Sequence, residues 1–290
     1  MLKALDKNSI LHYWKVLTSE FNEDLKESYR MIHQAVQFLA ISGKSIVLPR
    51  FDDSHTSFTW DFGKKCFAGE WFNGSRTLRL EFDPVELCLN LVPYGEKPAN
   101  SLYFEGKTKK EVYAHLRHML LNEEVKIQHF ANEMHYDLPQ HEVCRGGKYR
   151  ISSINMNREI VKHYSNAYLL LNMLKGRSPL SGPIRCWPHH FDITAEFPNI
   201  DSDGKISTSY SVGFSPANPD FPEPYFYVTL RSNSPNFSIK KQKLKNGSWL
   251  PGNILGTSLG LQRVVKKTSA QTQIERLIGF MEESQSQMQN

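Results

Sequence analysis

The chain predicts an α+β fold made of two related halves, each an antiparallel β-meander covered by helices. Three observations carry this expectation. Segments with apolar residues at helical spacing flank each half. Between them lie short runs in which apolar and polar residues alternate, as they do in strands with one wet face. The links between those runs are too short for crossover helices, so neighbouring strands must run antiparallel.

The first half covers residues 1–145. Residues 8–42 read as helix with a break near residues 18–22. Ile10, Leu11, Trp14 and Leu17 form one apolar stripe, and Tyr29, Ile32, Val36 and Leu39 another. Gly43 is the expected helix stop. Residues 55–62 then alternate, with Phe58, Trp60 and Phe62 on one side. Residues 66–72 form a second strand. Asn73 and Gly74 are a short hairpin signal, since both tolerate positive φ. Residues 77–82 send Leu78, Leu80 and Phe82 to one face, and Leu87, Leu89 and Leu91 continue the meander. Thr108 followed by Glu111 is a capping box, and Val112, Leu116, Met119 and Leu120 are the inward stripe of the helix it starts. A strand is expected near residues 125–129, and residues 138–156 read as loop.

The second half covers residues 146–290. A helix over residues 158–175 carries Tyr164, Tyr168, Leu171 and Leu174 inward, and Gly176, Pro179, Gly182 and Pro183 end it. Residues 186–197 follow as a strand that alternates strictly after Pro188. A turn at Asp201, Ser202, Asp203 and Gly204 leads to strands over residues 206–214 and 224–230. A helix over residues 269–285 faces Ile274, Leu277, Ile278 and Met281 inward, and the Gln-rich tail after Glu283 is expected to fray. A gapless shift of 135 residues lays Tyr29 on Tyr164, His55 on His190, Thr59 on Thr194 and Phe62 on Phe197, which reads as internal duplication.

Composition narrows the function classes. Hydrophobic residues make up 40% and charged residues 22%, enough apolar material for a core. The net charge is +5, and the one basic cluster (Lys240, Lys241, Lys243, Lys245) precedes an Asn246 and Gly247 turn, so it reads as a solvated hairpin end and no nucleic-acid partner is expected. Cys66, Cys88, Cys144 and Cys186 match no paired spacing and read as reduced thiols of a cytoplasmic protein. No apolar run is long enough for a membrane span, no leader is visible, and no membrane partner is expected. Neither glycine-rich nucleotide motif occurs, so no cofactor is assigned. Residues 252–257 contain glycines without the lysine and read as a loop before a helix. The sequence does not set the oligomeric state.

Chemistry concentrates on residues 186–197. The apolar side holds Phe191, Ile193, Ala195 and Phe197. The other side holds His190, Asp192, Thr194 and Glu196. Pairing with the two following strands would add Ser209, Ser211, Glu223, Tyr225 and Tyr227 to that polar face, and would let His190, Asp192 and Glu223 converge. Trp187, Tyr225 and Tyr227 would be walls of a small-molecule pocket, with His190, Asp192 and Glu223 as its polar anchors and Glu196 beside them. An antiparallel sheet with a merely wet face gives the same alternation. A metal site built on His190 and Asp192 is the weaker reading, because His189 points the other way and a third ligand, His55 or Glu223, must come from elsewhere. Acid–base hydrolysis by His190 has no nucleophile motif behind it: Gly213, Phe214 and Ser215 lack the closing glycine. His135 and His141 read as surface residues.

Lys175, Gly176, Arg177, Ser178 and Pro179, followed by the strand ending Phe191, Asp192, Ile193 and Thr194, resemble the hallmark of the bacterial domain-of-unknown-function family 5996. Glu81, Phe82 and Asp83 are similar to its first half, and Gly213 to Pro216 and Glu223 to Tyr227 to its C-terminal segment. The resemblance covers roughly residues 55–232 and departs from the family at His189 and His190. It implies no activity. The leading expectation is therefore a cytoplasmic protein that binds a small molecule on the polar face of the second sheet. The alternatives are a structural or interaction module using exposed aromatics, and a metal-dependent or acid–base hydrolase.

Overall fold

The computed structural model describes residues 7–18, 21–127, 130, 131, 133–233, 237, 239–266 and 269–289. The fold is α+β with two antiparallel sheets. The chain divides into two compact units that interleave in sequence: Asn22–Val161 with Arg185–Phe191, and Met1–Phe21 with Lys162–Ile184 and Asp192–Asn290.

The unit that starts at Asn22 opens on a short helix's successor. Helix α1 spans Lys7–Tyr13 and belongs to the other unit; α2 spans Glu23–Ile46. Asn22 starts α2 by accepting from Leu25 N through its side chain. Gly43 does not stop it. A Cβ there would lie 2.3 Å from the His55 carbonyl, so the glycine serves close packing inside the helix, which runs one turn further. The sheet of this unit contains β1 (Thr59–Asp61), β2 (Cys66–Ala68), β3 (Phe72–Asn73), β4 (Thr77–Asp83), β5 (Cys88–Pro93) and β6 (Asn100–Tyr103). Its order is β1-β2-β4-β5-β6, with β3 also paired to β4. The alternation read in β4 holds: Leu78, Leu80 and Phe82 are buried. Residues 54–56 are a 3-10 turn, not strand. Helix α3 (Lys109–Asn122) has the complete capping box, and its buried residues are the four expected. Residues 125–127 are not strand; residues 128 and 129 lie outside the described residues. Phe38, Phe82 and Tyr149 all pack around Phe104 at ring distances of 5.1–5.6 Å.

Helix α4 spans Ile154–Arg177, and its residues from Lys162 onward belong to the second unit. The expected single stripe is too narrow: residues 163–167 are buried on every side. Strand β7 is only Arg185–Trp187 and lies in the first unit, bridged through Cys186 to Phe58. The second unit's strands are β8 (Asp192–Ile200), β9 (Ile206–Ser215), β10 (Tyr225–Ser232), β11 (Ser248–Trp249) and β12 (Gly256–Gly260), arranged β11-β12-β10-β9-β8. Residues 256 and 257, the end of the stretch read as loop, thus open a strand. Gly256 has no room for a side chain, since its Cβ would meet Leu250, Thr229 and the Val228 carbonyl within 2.9 Å. Short α5 (Leu261–Val265) leads to α6 (Ala270–Gln289). The tail does not fray: Ser284 and Met288 are buried, and Ser284 bonds Thr257 at 2.7 Å. Ile193, Ala195 and Phe197 of β8, Val212 and Phe214 of β9, and Phe226 and Val228 of β10 form the apolar face. His163 and Tyr164 of α4 pack on Phe214 at ring distances of 5.6 and 5.9 Å, the first tilted and the second edge-on. Gln273 ties the α1 end to α6 by bonding Trp14 Nε1 and both backbone groups of Leu17.

Candidate functional site

The polar face of the second unit's sheet is set by register. Residues directly opposite in an antiparallel pair share a face. Thr194 faces Gly213 and Tyr227 faces Gly213, while Glu196 and Thr229 both face Ser211. Tyr225 faces Ser215 on one side and Gly260 on the other. Asp192, Thr194, Glu196, Ser209, Ser211, Tyr225 and Tyr227 therefore lie on the side of the sheet opposite Ile193, Phe214 and Val228.

One cross-strand arrangement dominates this face. The Tyr227 side chain crosses β9 and donates to Asp192 Oδ2 at 2.5 Å. It can do so because Gly213 lies beneath it. A Cβ at Gly213 would sit 2.6 Å from Tyr227 Oη, 2.7 Å from its Cζ and 2.6 Å from the Ile193 carbonyl. Burial and the adjoining Asp192 carboxylate hold the Tyr227 phenol well above the ordinary tyrosine value. Asp192 and Thr194 are buried, and Thr194 donates to the Val212 carbonyl at 2.9 Å. Tyr225 stands beside Tyr227 at 6.1 Å and accepts from Asn218 Nδ2 at 3.1 Å. Burial raises its phenol too, with Asp192 adding to the shift. Phe221 lies against Tyr225 at 4.3 Å and 33°, extending the aromatic wall. The cluster thus presents a carboxylate, two phenols and an amide beside an aromatic surface. It can hold a polar ligand and stack on it.

The other expected site residues do not join this cluster. His190 is not on a strand: residues 188–191 form a turn closed by Phe191 N to Trp187 O at 2.8 Å, with Phe191 at φ 54°. The strict alternation expected after Pro188 therefore begins only at Asp192. His190 is exposed, with its ring 4.2 Å from that of His189. The Pro188 carbonyl accepts from His33 Nε2 at 2.8 Å and Gln37 Nε2 at 2.9 Å, which anchors this turn in the first unit. Burial, opposed in part by that bond and helped by His190 and His189, lowers His33 to about 4. Burial lowers His189 to about 4 as well, with His190 and His135 contributing. Trp187 is half-buried on β7 with His189 at 6.2 Å. Glu223 precedes β10 and accepts from Gln262 N at 2.6 Å, so its carboxylate caps α5. Glu196 is exposed on β8, and its backbone carbonyl accepts from Gly182 N. His55 Nδ1 accepts from Arg50 N at 3.1 Å. Among the described residues no three His, Cys, Asp or Glu side chains are grouped to hold a metal ion, and no helix is long and apolar enough to cross a membrane.

Sequence reasoning missed Gly213 and Asn218. Gly213 had a readable signal, a glycine in the middle of an alternating strand, which marks close approach of another group. Asn218 sits in the loop between strands, where only the fold fixes its reach. No family model matches the chain, and no curated protein or solved structure matches it.

Proposed function

We propose that this protein binds a small polar molecule on the polar face of the second unit's sheet. The observation that carries the reading is the Tyr227 phenol laid over Gly213 against the buried Asp192 carboxylate. Burying a carboxylate is costly without strong hydrogen bonds, and phenols whose titration is displaced by burial and a neighbouring carboxylate, beside an aromatic wall, mark a candidate functional site. The ligand brings a hydrogen-bond donor to Asp192 and stacks against Tyr225 and Phe221. A cytoplasmic location, internal duplication and membership of the family named above belong to the same reading. Native mass spectrometry with elemental analysis of the purified protein tests it: a retained ligand lost in Tyr227→Phe supports the site, and retention unchanged in Tyr227→Phe removes it.

A second reading rests on exposed apolar side chains. Phe51 and Leu48 are 109% and 83% exposed in one loop of the first unit, and Tyr94 is 72% exposed beside Trp71. A protein partner would cover such residues. Phe51→Ser abolishing co-purification of a partner, with no loss of folding, favours this reading over the first.

A further inference from the structure

The second unit also holds a cavity of about 250 Å³ on the helix-covered side of its sheet, away from Asp192 and Tyr227. Its walls are mainly apolar, with Ser178, Asn199 and Gln285 adding polar groups. Leu174 of α4, Phe197 of β8, Tyr210 of β9 and Met281 of α6 line it. Its rim carries two opposite charges, Arg177 at the end of α4 and Glu282 on α6. Both side chains belong to exposed residues, and neither forms an ion pair among the described residues. Among the described residues the Arg177 side chain has one hydrogen bond, to the Met173 sulfur at 3.9 Å, a weak acceptor. A cation and an anion over one mainly apolar cavity, each without an ionic partner among the described residues, form a binding pattern of a defined kind.

We propose that this cavity takes a zwitterion with a large apolar side chain, of the α-amino-acid class. Arg177 receives the carboxylate through its planar donor fork, which matches a carboxylate's two oxygens. Glu282 receives the ammonium group. The side chain enters among Leu174, Phe197, Tyr210 and Met281. The volume lies just below the roughly 300–1,000 Å³ of drug-sized sites, so the ligand is metabolite-sized and not a peptide. Short polar amino acids leave the apolar wall wet and bind poorly. Ligands lacking either charge leave one rim group unmatched.

The inference stands apart from the polar-face site, and the experiment keeps the two separate. Calorimetric titration of the full chain uses L-phenylalanine, glycine, 3-phenylpropionate and phenethylamine as probes. L-Phenylalanine binds at millimolar concentration or tighter. Each mono-charged analogue binds about tenfold or more weakly, since a charge-assisted bond contributes about 1.5–3 kcal/mol and 1.4 kcal/mol is tenfold. Arg177→Met and Glu282→Gln each weaken L-phenylalanine by a similar factor, with unchanged far-ultraviolet dichroism. Asp192→Asn leaves its binding unchanged. No binding of L-phenylalanine at high millimolar concentration overturns the proposal. So does equal binding of 3-phenylpropionate, or binding indifferent to both rim substitutions. Loss of L-phenylalanine binding in Asp192→Asn with the rim variants unaffected moves the ligand to the polar face and overturns it as well.

Discussion

Gly213→Ala is the most searching single change. The new Cβ meets the Ile193 carbonyl and the Tyr227 ring at 2.6–2.7 Å, closer than real Cβ contacts allow. The Ile193 atom is backbone and cannot swing away. Gly213 is not among the positive-φ glycines, so the cost is steric and not conformational. Overpacking a well-filled site costs about 1–3 kcal/mol. Displacing Tyr227 also removes its bond to Asp192, a charge-assisted interaction of about 1.5–3 kcal/mol. The substitution should therefore cost about 2.5–6 kcal/mol by these two contributions. Tyr227→Phe separates them, because it deletes the hydroxyl and keeps the ring. Urea unfolding followed by far-ultraviolet dichroism, with each transition fitted separately, gives the four corners of the cycle. The double variant should be less destabilised than the sum of the singles by about 1.5–3 kcal/mol, the shared phenol–carboxylate bond. Additivity within about 0.5 kcal/mol, or a Gly213→Ala cost near zero, would refute the claim that Gly213 exists to let the phenol cross.

Other perturbations test neighbouring parts of the account. Thr108→Ala should destabilise by about 1 kcal/mol through loss of its bond to Glu111 N, and Thr108→Ser should restore most of it; thermal unfolding reads both. His33 and His189 sit near 4 in the folded protein against about 6.5 unfolded, so the unfolded chain takes up protons first. Stability is full above about pH 6.5 and falls as pH drops toward 4; His33→Gln should flatten that acid limb, and an unchanged limb would show the imidazole is not buried neutral. At alkaline pH the unfolded tyrosine ionises near 10 while Tyr227 stays protonated, so stability is lost as pH rises past 10. Tyr227→Phe should remove part of that loss in a melting series from pH 8 to 11, and a curve that keeps its full slope would contradict the raised phenol.

Much of this architecture was legible because it follows from period and local chemistry. The α3 cap needs only Thr108 and Glu111 three apart, and both bonds form. The polar face was legible as far as alternation reaches: Thr194, Glu196, Ser209, Ser211, Tyr225 and Tyr227 share a side because antiparallel partners must. Its apolar counterpart is equally clear, with Ile193 and Phe214 fully buried. The turn before Asp192 was not legible. Phe191 adopts a left-handed conformation without being Gly, Asn or Asp, and it does so because its ring packs on His33, Phe58 and Phe67. That tertiary override takes His190 off the strand. Glu223 was misplaced for a related reason, since the partner it caps, Gln262 N, lies 39 residues away. Strand β12 was hidden because its glycines resemble loop punctuation when their crowded neighbours are unknown. Helix α6 outran its expected end because Met288 finds a buried site that composition does not reveal.

Amide-resolved NMR of the full chain against a library of small polar compounds tests the ligand site most directly. The account predicts compounds that shift the backbone amides of Asp192, Gly213, Tyr225 and Tyr227 together, with those shifts lost in Tyr227→Phe. Compounds that leave these four amides still, or that move them identically without the Tyr227 hydroxyl, would contradict it.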